Sequence, residues 1–283
     1  MSITKDIRIE DNVIFTKKMG SGGPIIFLHG GPGLFHDYLV QPFEQLSSKH
    51  ELIFFDQRGS GASSALGPDQ TICIDDFVSD IESLRQSMKL SDITLIGHSW
   101  GGLLAVLYAK RFGNHLRKMI LIDPAPGNSS LDNAGRSTMQ GRLTVEDREE
   151  INSIMKNEPF ETQDMVAINR FIQINEKPRY FDQSYMSRNK PTFTFETLVK
   201  LQTVSGLLNE ELDDYDIYPK IQGLDIKTLV IHGNYDPIPV ESSKRYSEML
   251  PNSKLLLLND CGHFPFIEKQ EETLISIEDF VGS

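Results

Sequence analysis

Ser99 sits in the stretch Gly97–His98–Ser99–Trp100–Gly101–Gly102, straight after an apolar run and straight before a helical pattern. A serine hydroxyl becomes a nucleophile only when a base takes its proton, and that base needs an orienting carboxylate. The spacing G-x-S-x-G at a strand-to-helix junction holds a serine in a strained turn, and small neighbours at Gly97 and Gly101 let the turn close. Taken alone, the stretch also reads as a serine capping a helix after a strand. Downstream partners decide between the two. Asp236, in Asn234–Tyr235–Asp236–Pro237, follows one apolar run, and His263, in Cys261–Gly262–His263–Phe264, follows the next. Nucleophile, acid and base in that order, each after a strand-like run, predict a triad Ser99–His263–Asp236. The rival carboxylate, Asp260, stands three residues before His263 and is read as shaping that turn.

Attack on a carbonyl also requires donors for the oxyanion. One is the backbone N–H of the residue after the nucleophile, Trp100. The other is expected from the loop His29–Gly30–Gly31–Pro32–Gly33, with Gly31 N–H as the candidate. That loop lacks the Lys-Ser/Thr ending and the glycine spacing of a phosphate-binding loop. The Trp100 side chain is expected to wall the acyl side of the pocket. In Asp56–Gln57–Arg58–Gly59–Ser60–Gly61 the glycines predict a sharp turn, braced by a charged hydrogen bond between Asp56 and Arg58. Gly20–Ser21–Gly22–Gly23 reads as a hairpin turn.

These residues need a scaffold that brings loops to one edge. Short apolar runs at 25–29, 51–56, 93–98, 118–123, 226–232 and 253–258 fit strands buried on both faces, as in a parallel sheet. Helical spacing separates them at 75–89, 100–111, 240–250 and 270–281. The alternation predicts a doubly wound, mostly parallel α/β sheet, with its ligand site at the carboxyl ends of the strands. Residues 7–16 alternate and read as an antiparallel hairpin strand at the sheet edge. The rhythm breaks over 126–220, which reads as a helical insertion with helices at 144–156, 161–175 and 193–204. The expected division is a core of 1–125 and 221–283 with a helical cap of 126–220. Phe171, Tyr180, Phe181, Tyr185, Phe193 and Phe195 are candidates to line an apolar pocket or pack the cap.

Composition narrows the function. A net charge of −12 opposes binding to nucleic acid or to anionic membranes. No run reaches the roughly 18 apolar residues of a bilayer span. The polar start MSITKDIRIEDN does not read as a signal peptide, so a cytoplasmic protein is expected. Two cysteines, Cys73 and Cys261, read as reduced core thiols and suggest no disulfide framework and no metal site. The expected partner is a small molecule or short peptide, with no cofactor.

The pieces His29–Gly33, Asp56–Ser63 and Gly97–Gly102, with the later loops around Asp236 and His263, resemble the proline iminopeptidases (prolyl aminopeptidases) of the α/β-hydrolase superfamily. The resemblance spans roughly 7–125 and 221–282. It implies the α/β-hydrolase fold with a helical cap inserted between core strands, a cofactor-free serine mechanism, and release of N-terminal proline from short peptides or amides. Some members carry a glutamate directly after the triad aspartate, where this chain has Pro237. An aminopeptidase needs a carboxylate for the substrate's ammonium, and Glu210 and Glu211 are the candidates, in an acidic run with Asp213 and Asp214. An esterase or lactonase acting on small acyl substrates is the alternative. A ligand-binding receptor on a hydrolase scaffold is the alternative from another class.

Overall fold

The computed structural model describes residues 2–188, 191 and 193–282 of the 283-residue chain. Eight strands form one sheet: β1 (Ser2–Ile9), β2 (Asn12–Gly20), β3 (Gly23–Leu28), β4 (His50–Phe55), β5 (Ile93–His98), β6 (Leu116–Ile122), β7 (Thr228–Gly233) and β8 (Ser253–Leu258). Their order is β1-β2-β4-β3-β5-β6-β7-β8. The β1–β2 and β2–β4 pairs are antiparallel, and every other pair is parallel. All six apolar runs are strands.

Side chains along a strand alternate between faces, and here they divide into two cores. Ile26, Leu28, Ile53, Phe55, Leu95, Leu121 and Val230 pack on one face. Ile25, Phe27, Leu52, Phe54, Ile96, Ile120 and Ile231 pack on the other. Helices Ile74–Ser87 and Trp100–Phe112 contribute to the first core, and helix Gln270–Gly282 to the second. Burial on both faces explains why β3 to β7 read as unbroken apolar runs, whereas β8, at the sheet edge, is half-exposed with Leu257 open to solvent and is not buried on both faces as expected.

Chain order reverses at β3, which has β4 on one side and β5 on the other. Loops leaving β3 and β5 therefore part at their carboxyl ends and open a crevice. Ser99 follows β5 and His29 follows β3 directly, so the sheet places both at that crevice.

Residues 7–16 fall in an antiparallel edge hairpin as expected, but as parts of two strands: the chain turns at Glu10, with φ 52°, and Ile7 pairs with Ile14. Alternation continues through the turn, which hides it. The Gly20–Gly23 segment is no hairpin, because β4 lies between β2 and β3. Cys261 is buried as expected, whereas Cys73 is exposed at the start of helix Ile74–Ser87 and is no core thiol.

Between β6 and β7 run helices Ser129–Arg142, Val145–Met155, Met165–Glu176 and Phe195–Asp213, with a short helical turn Tyr218–Ile221. All four helices begin at side-chain caps, Asn128, Thr144, Asp164 and Thr194, whose oxygens accept N–H groups left free in the first turn. Helix Ser129–Arg142 escapes the periodicity reading because it buries only Gly135 and has no apolar stripe. Helix Asp37–Phe43 escapes it because it is seven residues long with Pro42 inside. Helix Phe195–Asp213 rests on the crevice loops. The Lys200 ammonium donates to the carbonyls of Gly61 and Ser63, both at 3.0 Å, and Ser205 Oγ donates to Pro32 O at 3.1 Å. Among the described residues, no helix is long and apolar enough to cross a membrane.

Lys200→Met keeps the stem and removes the donors. The expected result is a loss of about 1–3 kcal/mol, the cost of leaving buried acceptors unpaired, read from the midpoint of urea unfolding. An unmoved midpoint refutes this docking role.

Candidate active site

Ser99 has φ 55° and ψ −120°, a conformation non-glycine residues rarely occupy. Its N–H donates to Ile122 O at 3.0 Å, and its own carbonyl accepts the N–H groups of Gly102 and Ala125, each at 2.8 Å. The turn is thus pinned to β6 and to the helix it opens. Added Cβ atoms have no room: at Gly101 one would lie 2.1 Å from Leu28 O, and at Gly97 2.3 Å from Gly101 O.

Asp236 and His263 meet on the same rim. His263 Nδ1 lies 2.8 Å from Asp236 Oδ2, and both side chains are buried. Asp236 Oδ1 accepts the Ile238 N–H at 2.9 Å. Burial pushes the Asp236 carboxyl up, but the charge and hydrogen bond of His263 outweigh it and hold the carboxyl well below the usual range. Asp260 lies exposed in the turn, at φ 49°, away from this pairing.

His98, just before Ser99, ties the rim together. Its Nε2 lies 2.9 Å from the His263 carbonyl, and the two rings are 4.7 Å apart. Facing a carbonyl, Nε2 must carry a hydrogen. Burial, then the neighbouring His263, hold His98 neutral by pushing its pKa well below the usual value. Its Nδ1 is therefore an acceptor, and the Tyr38 hydroxyl donates to it at 2.8 Å. The Tyr38 oxygen in turn accepts the Gly30 N–H at 2.7 Å.

The glycine loop is oriented by the same logic. His29 Nε2 accepts the Gln57 N–H at 3.0 Å, so its Nδ1–H donates to Gly30 O at 2.8 Å. Burial lowers the His29 pKa to about 4, which keeps this ring neutral. A trans peptide aims its C=O and N–H in opposite directions. With Gly30 O turned to His29, the Gly31 N–H faces away from it. Gly31 has φ 136°, where a Cβ would lie 2.6 Å from Gly33 N.

Three other expectations change. The Trp100 side chain points into the core, where its Nε1 donates to Gln57 Oε1 at 2.9 Å and its ring meets Phe77 edge-on; it does not line the cavity beneath the inserted helices. Only its backbone remains at the crevice. Asp56 and Arg58 do not pair. Asp56 accepts from His36 and from the Ala62 N–H, while Arg58 forms a two-pronged ion pair with Asp80, both contacts at 2.7 Å. They still brace the turn, each through its own partner. Glu210 is exposed, and Glu211 Oε2 accepts the Ile74 N–H at 2.8 Å, so it caps a core helix. Leu201 and Gln202 of the same helix face the cavity described next. At 3.6 residues per turn, positions 210 and 211 fall on the opposite side.

A cavity of about 560 Å³ lies beneath the inserted helices. Phe35, Phe171, Phe193, Leu198 and Leu201 make it apolar, and it reaches the rim at Tyr38 and Phe264. Ser99, Asp236 and His263 are not among its lining residues. Of the aromatic candidates, Phe171, Tyr180 and Phe193 line it, while Phe181 is largely exposed and packs edge-on against Tyr235. Its charged lining is Arg170, Glu176 and Lys177. Arg170 is paired with Glu150, Lys177 with Asp147, and Glu176 with Arg179 at 3.0 Å. The insertion also grips the histidine loop. Arg179 O accepts the His263 N–H at 2.7 Å, and the buried Glu268 carboxyl accepts the N–H groups of Gly262, Phe181 and Asp182.

Among the described residues, one group of side chains is close enough to share a cation: Asp123, His232 and Asp236. Its atoms are largely committed, since both Asp236 oxygens already accept hydrogen bonds and His232 Nδ1 lies 3.0 Å from Ser243 Oγ. Sequence reading passed over Tyr38, His98, Asp123 and Glu176. His98 stands inside the Ser99 motif, and Asp123 ends an apolar run as the triad loops do. Tyr38 and Glu176 carry no local signal.

The chain belongs to the α/β-hydrolase fold family, whose model matches residues 23–270. Within it, the chain is 26% identical to a proline iminopeptidase of Heyndrickxia coagulans over 271 residues, covering 93% of this chain and 92% of that one. It is 26% identical to a proline iminopeptidase of Saccharolobus solfataricus, covering 93% and 86%. Among solved structures it is similar in fold to a proline iminopeptidase of Mycobacterium smegmatis, with a TM-score of 0.73, 18% identity and coverage of 99% and 98%. A meta-cleavage product hydrolase of Pseudomonas fluorescens gives a TM-score of 0.74 at 18% identity, covering 98% and 97%.

Tyr38→Phe strips partners from both the Gly30 N–H and His98 Nδ1. Each orphaned buried group costs about 1–3 kcal/mol, so the urea midpoint should fall, and turnover of an activated ester should fall with it. A variant as stable and active as the parent removes the hydroxyl bridge from the site.

Proposed function

We propose that this chain is a serine hydrolase acting through an acyl-enzyme, with residues 126–220 as a cap over a core of 1–125 and 221–283, and that it releases N-terminal proline from short peptides or amides. The observation that carries the hydrolytic part is the buried His263–Asp236 pair at 2.8 Å on the rim where Ser99 is held at φ 55°. Ser99 Oγ attacks the carbonyl while His263 Nε2 takes its proton. Asp236, bonded to Nδ1, fixes the ring tautomer and stabilises the imidazolium. The oxyanion is bound by the N–H of Trp100, which opens a helix and has no partner within it, and by the N–H of Gly31. His263 returns the proton to the leaving amine and then activates water against the acyl-enzyme.

The prolyl reading draws on the named relatives and on Glu176, a carboxylate lining the cavity and able to face a substrate ammonium. One observation favours the esterase reading: Glu176 already accepts a hydrogen bond from Arg179, which offsets its charge. The largely apolar lining suits an uncharged acyl group equally well.

Ser99→Ala is expected to abolish fluorophosphonate labelling and ester turnover; full labelling of that variant excludes Ser99 as nucleophile. Proline p-nitroanilide should be cleaved and its N-acetylated form rejected. Indifference to acetylation, or cleavage of esters alone, selects the esterase. Glu176→Gln should raise KM for the free-amine substrate and leave that for a neutral ester unchanged; equal effects on both remove Glu176 from ammonium recognition.

A further inference from the structure

One buried acid beside the triad has no task in that mechanism. Asp123 directly follows β6: its N–H donates to Ile231 O at 2.9 Å, and its φ of 41° takes it out of the strand pattern. The residue is completely buried. Its Oδ1 accepts the Gly233 N–H at 2.9 Å and lies 3.2 Å from His232 Nδ1. Its Oδ2, equally buried, has no donor directed at it. A carboxylate oxygen in that position lacks both water and a partner, an arrangement folded proteins avoid.

The neighbourhood supplies the remedy. One oxygen each of Asp123 and Asp236, with a ring nitrogen of His232, lie within 4.8 Å of one another. Two carboxyls this close in a dry site do not both ionise. Asp236 is the one stabilised as an anion, because His263 and the Ile238 N–H both donate to it. The shared proton therefore belongs on Asp123, and on Oδ2, since Oδ1 already accepts. A protonated Oδ2 is a donor, and the Asp236 carboxylate is the acceptor at hand.

We propose that Asp123 is a positioning residue for the triad, a neutral carboxylic acid whose Oδ2–H donates to the carboxylate of Asp236. The proposal rests on the triad reading above. It gives Asp236 a third support beside His263 and Ile238, fixing its orientation without a second negative charge. The ionisable groups facing Asp123 are consistent with it. Burial and then Asp236 raise the Asp123 carboxyl well above its usual range. Burial holds His232 neutral and pushes the Cys261 thiol up. Burial likewise raises Glu268, which three backbone N–H groups oppose. His263 lies beyond Asp236.

Two substitutions and one spectrum test this. Asp123→Ala removes the donor, and kcat should fall about 10- to 100-fold, the usual range for partners one step behind a reacting group, with KM little changed. Asp123→Asn presents an amide N–H in place of the O–H, so it should recover most of that loss and return the acid limb of the pH profile to that of the unaltered enzyme. If Asp123 were a carboxylate, Asp123→Asn would instead remove a charge near His263 and lower that limb by about 1–3 pH units, which overturns the proposal. Infrared difference spectra at neutral pH should show a protonated-carboxyl stretch that vanishes in Asp123→Asn. Should that variant fold poorly, Glu268→Gln separates the other buried acid: a band that survives in it supports Asp123, and one that disappears refutes it. Labelling of Ser99→Ala tests the triad reading separately, and the infrared band reports on Asp123 whichever way that result falls.

Discussion

The site depends on a steric limit, the approach of helix Trp100–Phe112 to β3 at Gly101. No methyl group fits between that residue and the Leu28 carbonyl. Because the helix lies so close, the turn before it must be sharp, and Ser99 takes the strained backbone that results. A parallel sheet buried on both faces makes such strain tolerable, since the two cores hold the strand ends whatever the loops cost. The same sheet delivers loops after β3, β5, β6, β7 and β8 to one rim, so residues distant in sequence share one dry environment.

That dryness sets the protonation states. His29, His98 and His232 are all neutral because burial penalises their charged forms. Each has a ring nitrogen engaged by the main chain or by a neighbouring side chain. Asp236 alone stays ionised in the cluster, because His263 faces it. Within that cluster the charge sits on one carboxylate, beside the one histidine with a catalytic task in the proposed mechanism.

The sequence displayed whatever is local or periodic. Strands buried on both faces leave continuous apolar runs, and the elbow needs its glycines at fixed spacing, so the sheet and Ser99 were both readable. Asp236 and His263 were readable because each follows such a run in the next loops. Features set by tertiary direction were not. The Trp100 ring could face cavity or core, and only its bond to Gln57 decides. The acidic run around Glu211 marks composition but not helix phase, and the phase turns Glu211 to the Ile74 N–H. Glu176 belongs to the insertion, whose polar helices leave little pattern. Tyr38 reaches His98 across 60 positions of chain, beyond any local rule.

The grip of Glu268 has a mechanical consequence for the inserted helices. Its two oxygens bind the His263 loop through Gly262 and the insertion through Phe181 and Asp182. Swinging that end outward would break several hydrogen bonds to that buried carboxyl and drag His263 with it. Any breathing that admits a bulky molecule must therefore leave that end in place.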